Sequence, residues 1–264
     1  LDTTTEADVA DKWNRNADQW TNDVRNGYDT YRDLFTLPAF QAFLPPMEGL
    51  KVIDFGCGEG SNTRRLAEMG ARMTGIDLSE RLVEHARKTE TETPLGISYK
   101  VSCYSDNTGF EEASFDAVIS TMAFMDGPDF QGTMHEAFRL LRPGGFLAFS
   151  ILHPCFITPG VRWQRDAAGQ TTGLLLSRYF ERSNFTETWK FGDRPRDEAV
   201  TPFAVPRFPR TISDYLNAIS DAGLRVTRVE EPRPTPEACE AVPRFARWRD
   251  LAAFILLVRA ERPS

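Results

Sequence analysis

No apolar run in this sequence reaches the roughly 18 residues that a membrane-spanning helix needs. The longest, over residues 251–258, is strand-sized, so no membrane partner is expected. A basic stretch followed by an apolar one, the mark of a secretion signal, is also missing. Cysteine is scarce, with Cys57, Cys103, Cys155 and Cys239 each standing alone. No CxxC or Cys/His group has zinc spacing, and the three histidines do not complete one, so no metal is expected. So few cysteines in a chain this long make no disulfide framework and point to a reducing cytoplasm. Basic surplus is lacking too. Lys+Arg 31 against Asp+Glu 38 gives a net charge of −7, which leaves nothing to grip a phosphate backbone and argues against a nucleic-acid partner.

What is present is an ordinary globular composition, 41% hydrophobic and 26% charged over 264 residues, enough for a large core and a modest cap. No internal repeat or low-complexity tract interrupts it. Short apolar runs at 50–55, 72–76, 97–103, 115–120 and 146–152 alternate with helical patterns, which predicts a parallel α/β sheet. Thr63, Leu66 and Ala67 recur at helical spacing before Gly70. Ser79 can cap a helix bearing Leu82, Val83 and Ala86. A third helix carries Met134, Ala137, Phe138 and Leu141 and stops at Pro143-Gly144-Gly145. From 153 to 210 the alternation breaks into a stretch rich in proline and aromatics. There Phe185, Glu187, Trp189 and Phe191 alternate with polar residues as one face of a hairpin strand. Regular pattern returns with a helix over 212–222 and strands at 224–229 and 254–259. The first 49 residues read as helical and aromatic. The expected organisation is an α/β core of 50–152 and 211–264, capped by an N-terminal segment, 1–49, and an insertion, 153–210.

The strongest local signal is VIDFGCGEG at residues 52–60, where a strand ends and a helix begins. Glycine at 56, 58 and 60 lets the chain turn sharply and a ligand approach the backbone. The following helix offers free N–H groups to a negatively charged ligand. The spacing is GxGxG, and Ser61 stands where the dinucleotide fingerprint places its third glycine. Asp77, in GIDLS at 75–79, ends the second predicted strand, where a Rossmann-like sheet presents an acid to ribose hydroxyls. Taken alone, the glycines also fit a purely structural turn, and Asp77 a helix cap.

With SFDAVISTMAFM at 114–125 and EAFRLLRPGGFLAFS at 136–150, these runs together resemble the class I S-adenosylmethionine-dependent methyltransferases, over about residues 50–150. The resemblance implies a Rossmann-like, mostly parallel seven-stranded sheet of order 3-2-1-4-5-7-6 with an antiparallel last strand, here 254–259. It implies S-adenosyl-L-methionine as cofactor and S-adenosyl-L-homocysteine as product. Asp54, Gly56, Cys57, Gly58 and Gly60 would border the methionine part, Asp77 would hold the ribose and Leu78 would pack on adenine. Many relatives carry an acid where Tyr104 stands. Here the Ser105 backbone would meet the ring, with Asp106 as a stand-in. Thr121 and Met122 would lie near the sulfonium.

Methyl transfer from a sulfonium needs placement and exclusion of water more than a triad, and a base only for a protonated acceptor. His153, just past the fifth strand, is the candidate base, the alternative being a hydrogen-bonded turn residue. His85 and His135 fall on helices as surface or packing residues, and Cys155 is not needed as a nucleophile. Trp20, Tyr28, Phe156, Phe185 and Trp189 are candidate walls of an acceptor pocket, or else the core of the cap itself. Arg32 can hold the cofactor carboxylate or pair structurally, and Glu187 can face a cationic acceptor or solvent. At 208–211 the chain reads FPRT, so a histidine many relatives carry there has no counterpart. The fourth strand ends Ser120-Thr121-Met122-Ala123, not in the motif of base methylases. The expected activity is methylation of a small aromatic or heterocyclic metabolite, on O, N or C, within secondary metabolism. A catalytically silent cofactor binder and a dinucleotide oxidoreductase are the alternatives, and a homodimer is compatible with the aromatic N-terminal helices.

Overall fold

The computed structural model describes residues 4–195 and 200–264. Helix α1 (Glu6–Arg25) starts in a capping box, in which Thr5 and Asp8 satisfy each other's backbone N–H groups. A π-helical turn, Arg32–Thr36, leads into α2 (Leu37–Phe43). The alternation follows as β1 (Lys51–Phe55), α3 (Ser61–Glu68), β2 (Arg72–Asp77), α4 (Glu80–Glu92), β3 (Ser98–Val101), β4 (Phe115–Thr121), α5 (Phe130–Leu140) and β5 (Leu141–Leu152). Two hairpins come next, β6 (Arg162–Arg165) with β7 (Thr171–Leu175), and β8 (Phe185–Trp189) with β9 (Phe203–Arg207). Then come α6 (Ile212–Asp221), β10 (Arg225–Glu230), α7 (Pro236–Ala241), a 3-10 turn Pro243–Phe245, α8 (Ala246–Asp250) and β11 (Ile255–Glu261).

The seven main strands lie in the order β3-β2-β1-β4-β5-β11-β10. In sheet numbering that is 3-2-1-4-5-7-6, as expected, and β11 runs antiparallel to both neighbours. The central strands are continuous apolar runs because helices cover both faces. One face packs Ile53, Phe55, Phe149 and Ile151 against α5 and α6. The other packs Val52, Ile119 and Leu257 with Leu66, Val83 and Phe245. A third cluster joins Val24 of α1 to Phe191, Phe203 and Val205, with Trp13, Trp20, Tyr28 and Trp189 against it.

Several elements differ from the expectation. Strand β5 begins at Leu141, ahead of Pro143-Gly144-Gly145, because Leu141 already pairs with Phe115 and the register shifts before Ala117. The Pro-Gly-Gly run is thus a bulge within a strand rather than a stop, with Gly144 at φ 79. Strand β3 is shorter than 97–103. In the β8–β9 hairpin the aromatic face is not continuous, since Phe185 at its end is 38% exposed. The β6–β7 hairpin and the short helices after β10 were not anticipated. Among the described residues, no helix is long and apolar enough to cross a membrane, and no group of three His, Cys, Asp or Glu side chains is placed to hold a metal ion.

Candidate functional site

The turn after β1 is built by glycine. Gly56, Gly58 and Gly60 sit at φ 74, 56 and 91, where other residues are strained. A Cβ at 56 would lie 2.4 Å from that of Ala123. The Gly56 and Cys57 N–H groups donate to the Ile76 carbonyl at 2.9 and 3.0 Å, tying the turn to β2. Asp77 completes the tie, its two carboxylate oxygens accepting from Gly58 N–H at 2.9 Å and Ser79 N–H at 2.8 Å. Burial raises its pKa against those bonds. Beneath the turn, Asp54 accepts from the Thr63 hydroxyl at 2.6 Å, and its other oxygen is buried without a partner. Burial, with Asp77 adding to it, pushes the Asp54 carboxyl up to about 7. Asn62 donates to the Thr121 hydroxyl at 2.8 Å, while its own amide oxygen is buried and unpartnered. Met122, past β4, holds the left-handed φ of 57, an uncommon conformation for a long side chain.

Above the carboxyl ends of the strands lies a cavity of about 590 Å³. Its sheet-side wall contains Gly56, Gly58, Asn62, Asp77, Leu78, Tyr104, Thr121 and Met122. Opposite stand Trp20 and Tyr28 from the N-terminal segment and Trp189 and Phe191 from the β8 hairpin. Trp20 and Trp189 meet edge to face at 5.7 Å. Several charged groups on the lining are ion-paired. Arg207 is buried between Asp126 and Glu187, the latter at 2.7 Å. Burial pushes Asp126 to about 6 despite that guanidinium, and Asp29, which accepts from Arg32 N–H, to about 6 as well. Arg210 donates to three carbonyls, of Phe124, Gly127 and Pro128, and so fixes the loop that carries Met122 and Asp126.

Ten of the residues singled out in the sequence line this one space: Gly56, Gly58, Asp77, Leu78, Tyr104, Thr121, Met122, Trp20, Tyr28 and Trp189. Asp54, Cys57 and Gly60 lie behind the turn instead. Ser105 also faces elsewhere, its hydroxyl donating to Glu6 of α1 at 2.5 Å, and Asp106 is exposed. Tyr104 is buried and stacked on Phe55 at 5.7 Å. His153 requires a correction. It is 1% exposed and off the cavity lining. Its Nδ1 accepts from Cys155 N–H at 3.2 Å and its Nε2 bonds Glu231 at 2.7 Å. Both nitrogens are committed, so no lone pair faces an acceptor, and burial lowers its pKa. Phe156 packs on that ring at 4.6 Å, and it and Phe185 are likewise off the lining. Glu187 and Arg32 do line the cavity, each ion-paired. His85 bonds Asp18 at 2.7 Å and His135 is exposed.

The sequence reading missed Asn62, Asp29, Asp126, Arg207, Arg244, Arg247 and Trp248, all on the lining. Only Asn62 carried a local signal, two residues past the last glycine of the turn. The others become neighbours only through long-range folding.

A glycine turn and a buried acid at the ends of the first two strands, under a partly open cavity, define a Rossmann-like enzyme that takes a nucleoside cofactor. Residues 53–149 match the model of the methyltransferase domain family. An S-adenosylmethionine-dependent methyltransferase from Mesorhizobium loti is 31% identical, with a TM-score of 0.69 over 85% of this chain and 96% of that one. A Haemophilus influenzae protein is 28% identical over 210 residues, 76% of this chain and 77% of its own. The ubiquinone biosynthesis O-methyltransferase of Methylocella silvestris is 34% identical over 139 residues, and the match spans 53% of its length. The chain belongs to the S-adenosylmethionine-dependent methyltransferases, and S-adenosyl-L-methionine is its cofactor. The dinucleotide alternative gives way to this family. The unpartnered oxygen of Asn62 and the Cβ-free path at Gly56 and Gly58 suit a ligand with an ammonium group and a sulfonium.

Proposed function

We propose that the protein methylates a small, largely aromatic molecule held against Trp20, Tyr28 and Trp189. The observation that carries this reading is the continuity of one partly open cavity from the glycine turn to that aromatic wall. The cofactor supplies a methyl group already activated on sulfur, so the transfer is an in-line displacement. Asp77 would hold the ribose hydroxyls, Leu78 and Tyr104 would flank the adenine, and Gly56, Gly58 and the Asn62 amide oxygen would receive the methionine end. Thr121 and Met122 would floor the reacting centre, with Asp54, Cys57, Gly60 and Ser105 supporting from behind. The aromatic wall orients the acceptor and excludes water. Where the acceptor carries a proton, we assign its removal to Asp126, which shares a loop with Met122 and titrates near neutrality, at about 6.

The name of the Methylocella relative, a ubiquinone biosynthesis O-methyltransferase, supports an oxygen as the methylated atom. In this reading residues 50–152 and 211–264 bind the cofactor, and residues 1–49 and 153–210 cap it. The segment between β10 and β11 adds a further wall. A reducing cytoplasm suits four free cysteines, and a homodimer and a role in secondary metabolism belong to the same proposal. The test is methyl-deuterated cofactor incubated with fractionated small-molecule extract of the producing organism, read by mass spectrometry beside Asp77→Ala. Label appearing with wild type alone supports the proposal. Intact S-adenosyl-L-homocysteine binding with no labelled metabolite would leave a silent binder.

A further inference from the structure

Four guanidinium groups line the cavity, and three of them face carboxylates. Arg32 pairs with Asp33, Arg207 with Asp126 and Glu187, and Arg244 with Asp193. Arg247, on α8, pairs with no carboxylate among the described residues. Its Nε is buried and has no hydrogen-bond partner. The charge rests against two indoles, 4.7 Å from the Trp163 ring and 5.4 Å from Trp248. Ring faces offer a cation some attraction but take up none of its N–H groups. Beside it, the Tyr31 hydroxyl accepts two bonds, from Arg247 Nη2 and from Trp248 Nε1, both at 3.2 Å. Both lone pairs of that oxygen are engaged, so the Tyr31 O–H proton is directed elsewhere, and no acceptor for it occurs among the described residues. This part of the lining therefore holds an unpaired guanidinium and a surplus of donors beside Tyr31, Trp248 and Phe254, with the Asp193-paired Arg244 over the Tyr31 ring.

We infer that the methyl acceptor is an aromatic carboxylic acid whose carboxylate is bound by Arg247 and the Tyr31 hydroxyl. A monoanion balances the one unpaired guanidinium, and a planar carboxylate matches its fork. The inference rests on the proposal that the aromatic half of the cavity takes the acceptor. The cofactor carries a carboxylate of its own, but the topology separates the two. Trp248 packs on Phe254 at 4.9 Å, and the Phe254 carbonyl accepts from His153 N–H at the end of β5. This corner therefore stands over β5 and β11, whereas the glycine turn and Asp77 stand over β1 and β2. At about 4.8 Å per strand, β1 and β11 are roughly 14 Å apart.

The experiment splits small-molecule extract by anion exchange into retained acids and flow-through, then incubates each with methyl-tritiated S-adenosyl-L-methionine and wild type, Arg247→Met or Arg247→Lys. Label in the retained acids with wild type, falling at least tenfold in Arg247→Met and partly kept in Arg247→Lys, is the expected result. Calorimetry with S-adenosyl-L-homocysteine should give all three the same affinity within about twofold, which also shows that the variants are folded. Label confined to the flow-through, or undiminished in Arg247→Met, overturns the inference and leaves the methyltransfer proposal standing. A tenfold loss of S-adenosyl-L-homocysteine affinity in Arg247→Met overturns it by assigning the residue to the cofactor's carboxylate. No label in either fraction, with cofactor binding intact, defeats the methyltransfer proposal itself.

Discussion

Asp54 holds a carboxyl inside the sheet with one oxygen on Thr63 and the other on nothing. The folded group titrates at about 7 against an ordinary 3.8. Between those values the folded protein keeps a proton that the unfolded chain has released, so stability falls as pH rises from about 4 to 7. The full shift corresponds to an upper bound of about 4 kcal/mol. Asp54→Asn keeps an oxygen for Thr63 and removes the charge. Denaturant unfolding should find the variant more stable than wild type at pH 7.5 and close to it at pH 4.5. An equal difference at both values would show that the carboxyl is ionised throughout. Asp77 differs in its bonding, because both of its oxygens accept from backbone N–H groups. Asp77→Ala should weaken S-adenosyl-L-homocysteine binding by about 10- to 150-fold, the worth of roughly 1.5–3 kcal/mol in charge-assisted bonds. Unchanged affinity in calorimetry would remove Asp77 from the site.

At the scale of elements, the post-β4 loop is held by residues from elsewhere in the chain, among them Phe208, Arg207 and Arg210. Arg210 spends its donors on the carbonyls of Phe124, Gly127 and Pro128. Arg210→Met should cost about 2–4 kcal/mol, since those carbonyls lose partners in a half-buried setting. Amide exchange across 122–128 should quicken more than in the sheet, and exchange unchanged there would mean that the loop holds without Arg210. This dependence also shows where sequence reading stops. The glycine turn and Asp77 were legible because strand, turn and acid are contiguous and their chemistry is local. The sheet order was legible through the family resemblance those motifs carry. His153 looked like a base because it follows a strand at the ligand edge, yet its fate is set by Glu231, which sequence separation hides. Arg247 and Trp248 were invisible because α8 has only five residues, too few to show a helical period. Pro143-Gly144-Gly145 read as a stop because a bulge needs a paired neighbour, Phe115, to be seen as one.

Across the whole molecule, α1 is the member that touches both halves of the cavity. Asn14 accepts from the Ser79 hydroxyl at 2.8 Å, next to Asp77 and Leu78. Two residues on, Asn16 exchanges hydrogen bonds with Ala204 of β9, donating at 3.1 Å and accepting at 3.4 Å. Trp13 and Trp20 of the same helix line the space between. A cofactor that orders residues 77–79 thus steadies α1, and α1 in turn steadies the β8–β9 hairpin that bears Trp189. Hydrogen exchange should show S-adenosyl-L-homocysteine protecting three regions: 77–79, α1 and β8–β9. Asn16→Ala removes the two hydrogen bonds to β9 while leaving the Asn14 bond and the Trp13–Trp20 packing in place. In that variant the ligand should still protect 77–79 and should protect β8–β9 less than in wild type. If β8–β9 gains the same protection in the variant, or none in wild type, the helix is only a cover, and the acceptor wall is set independently of the cofactor. If the protection is reduced as described, cofactor binding precedes and shapes the acceptor site, because the chain joins the two through one helix.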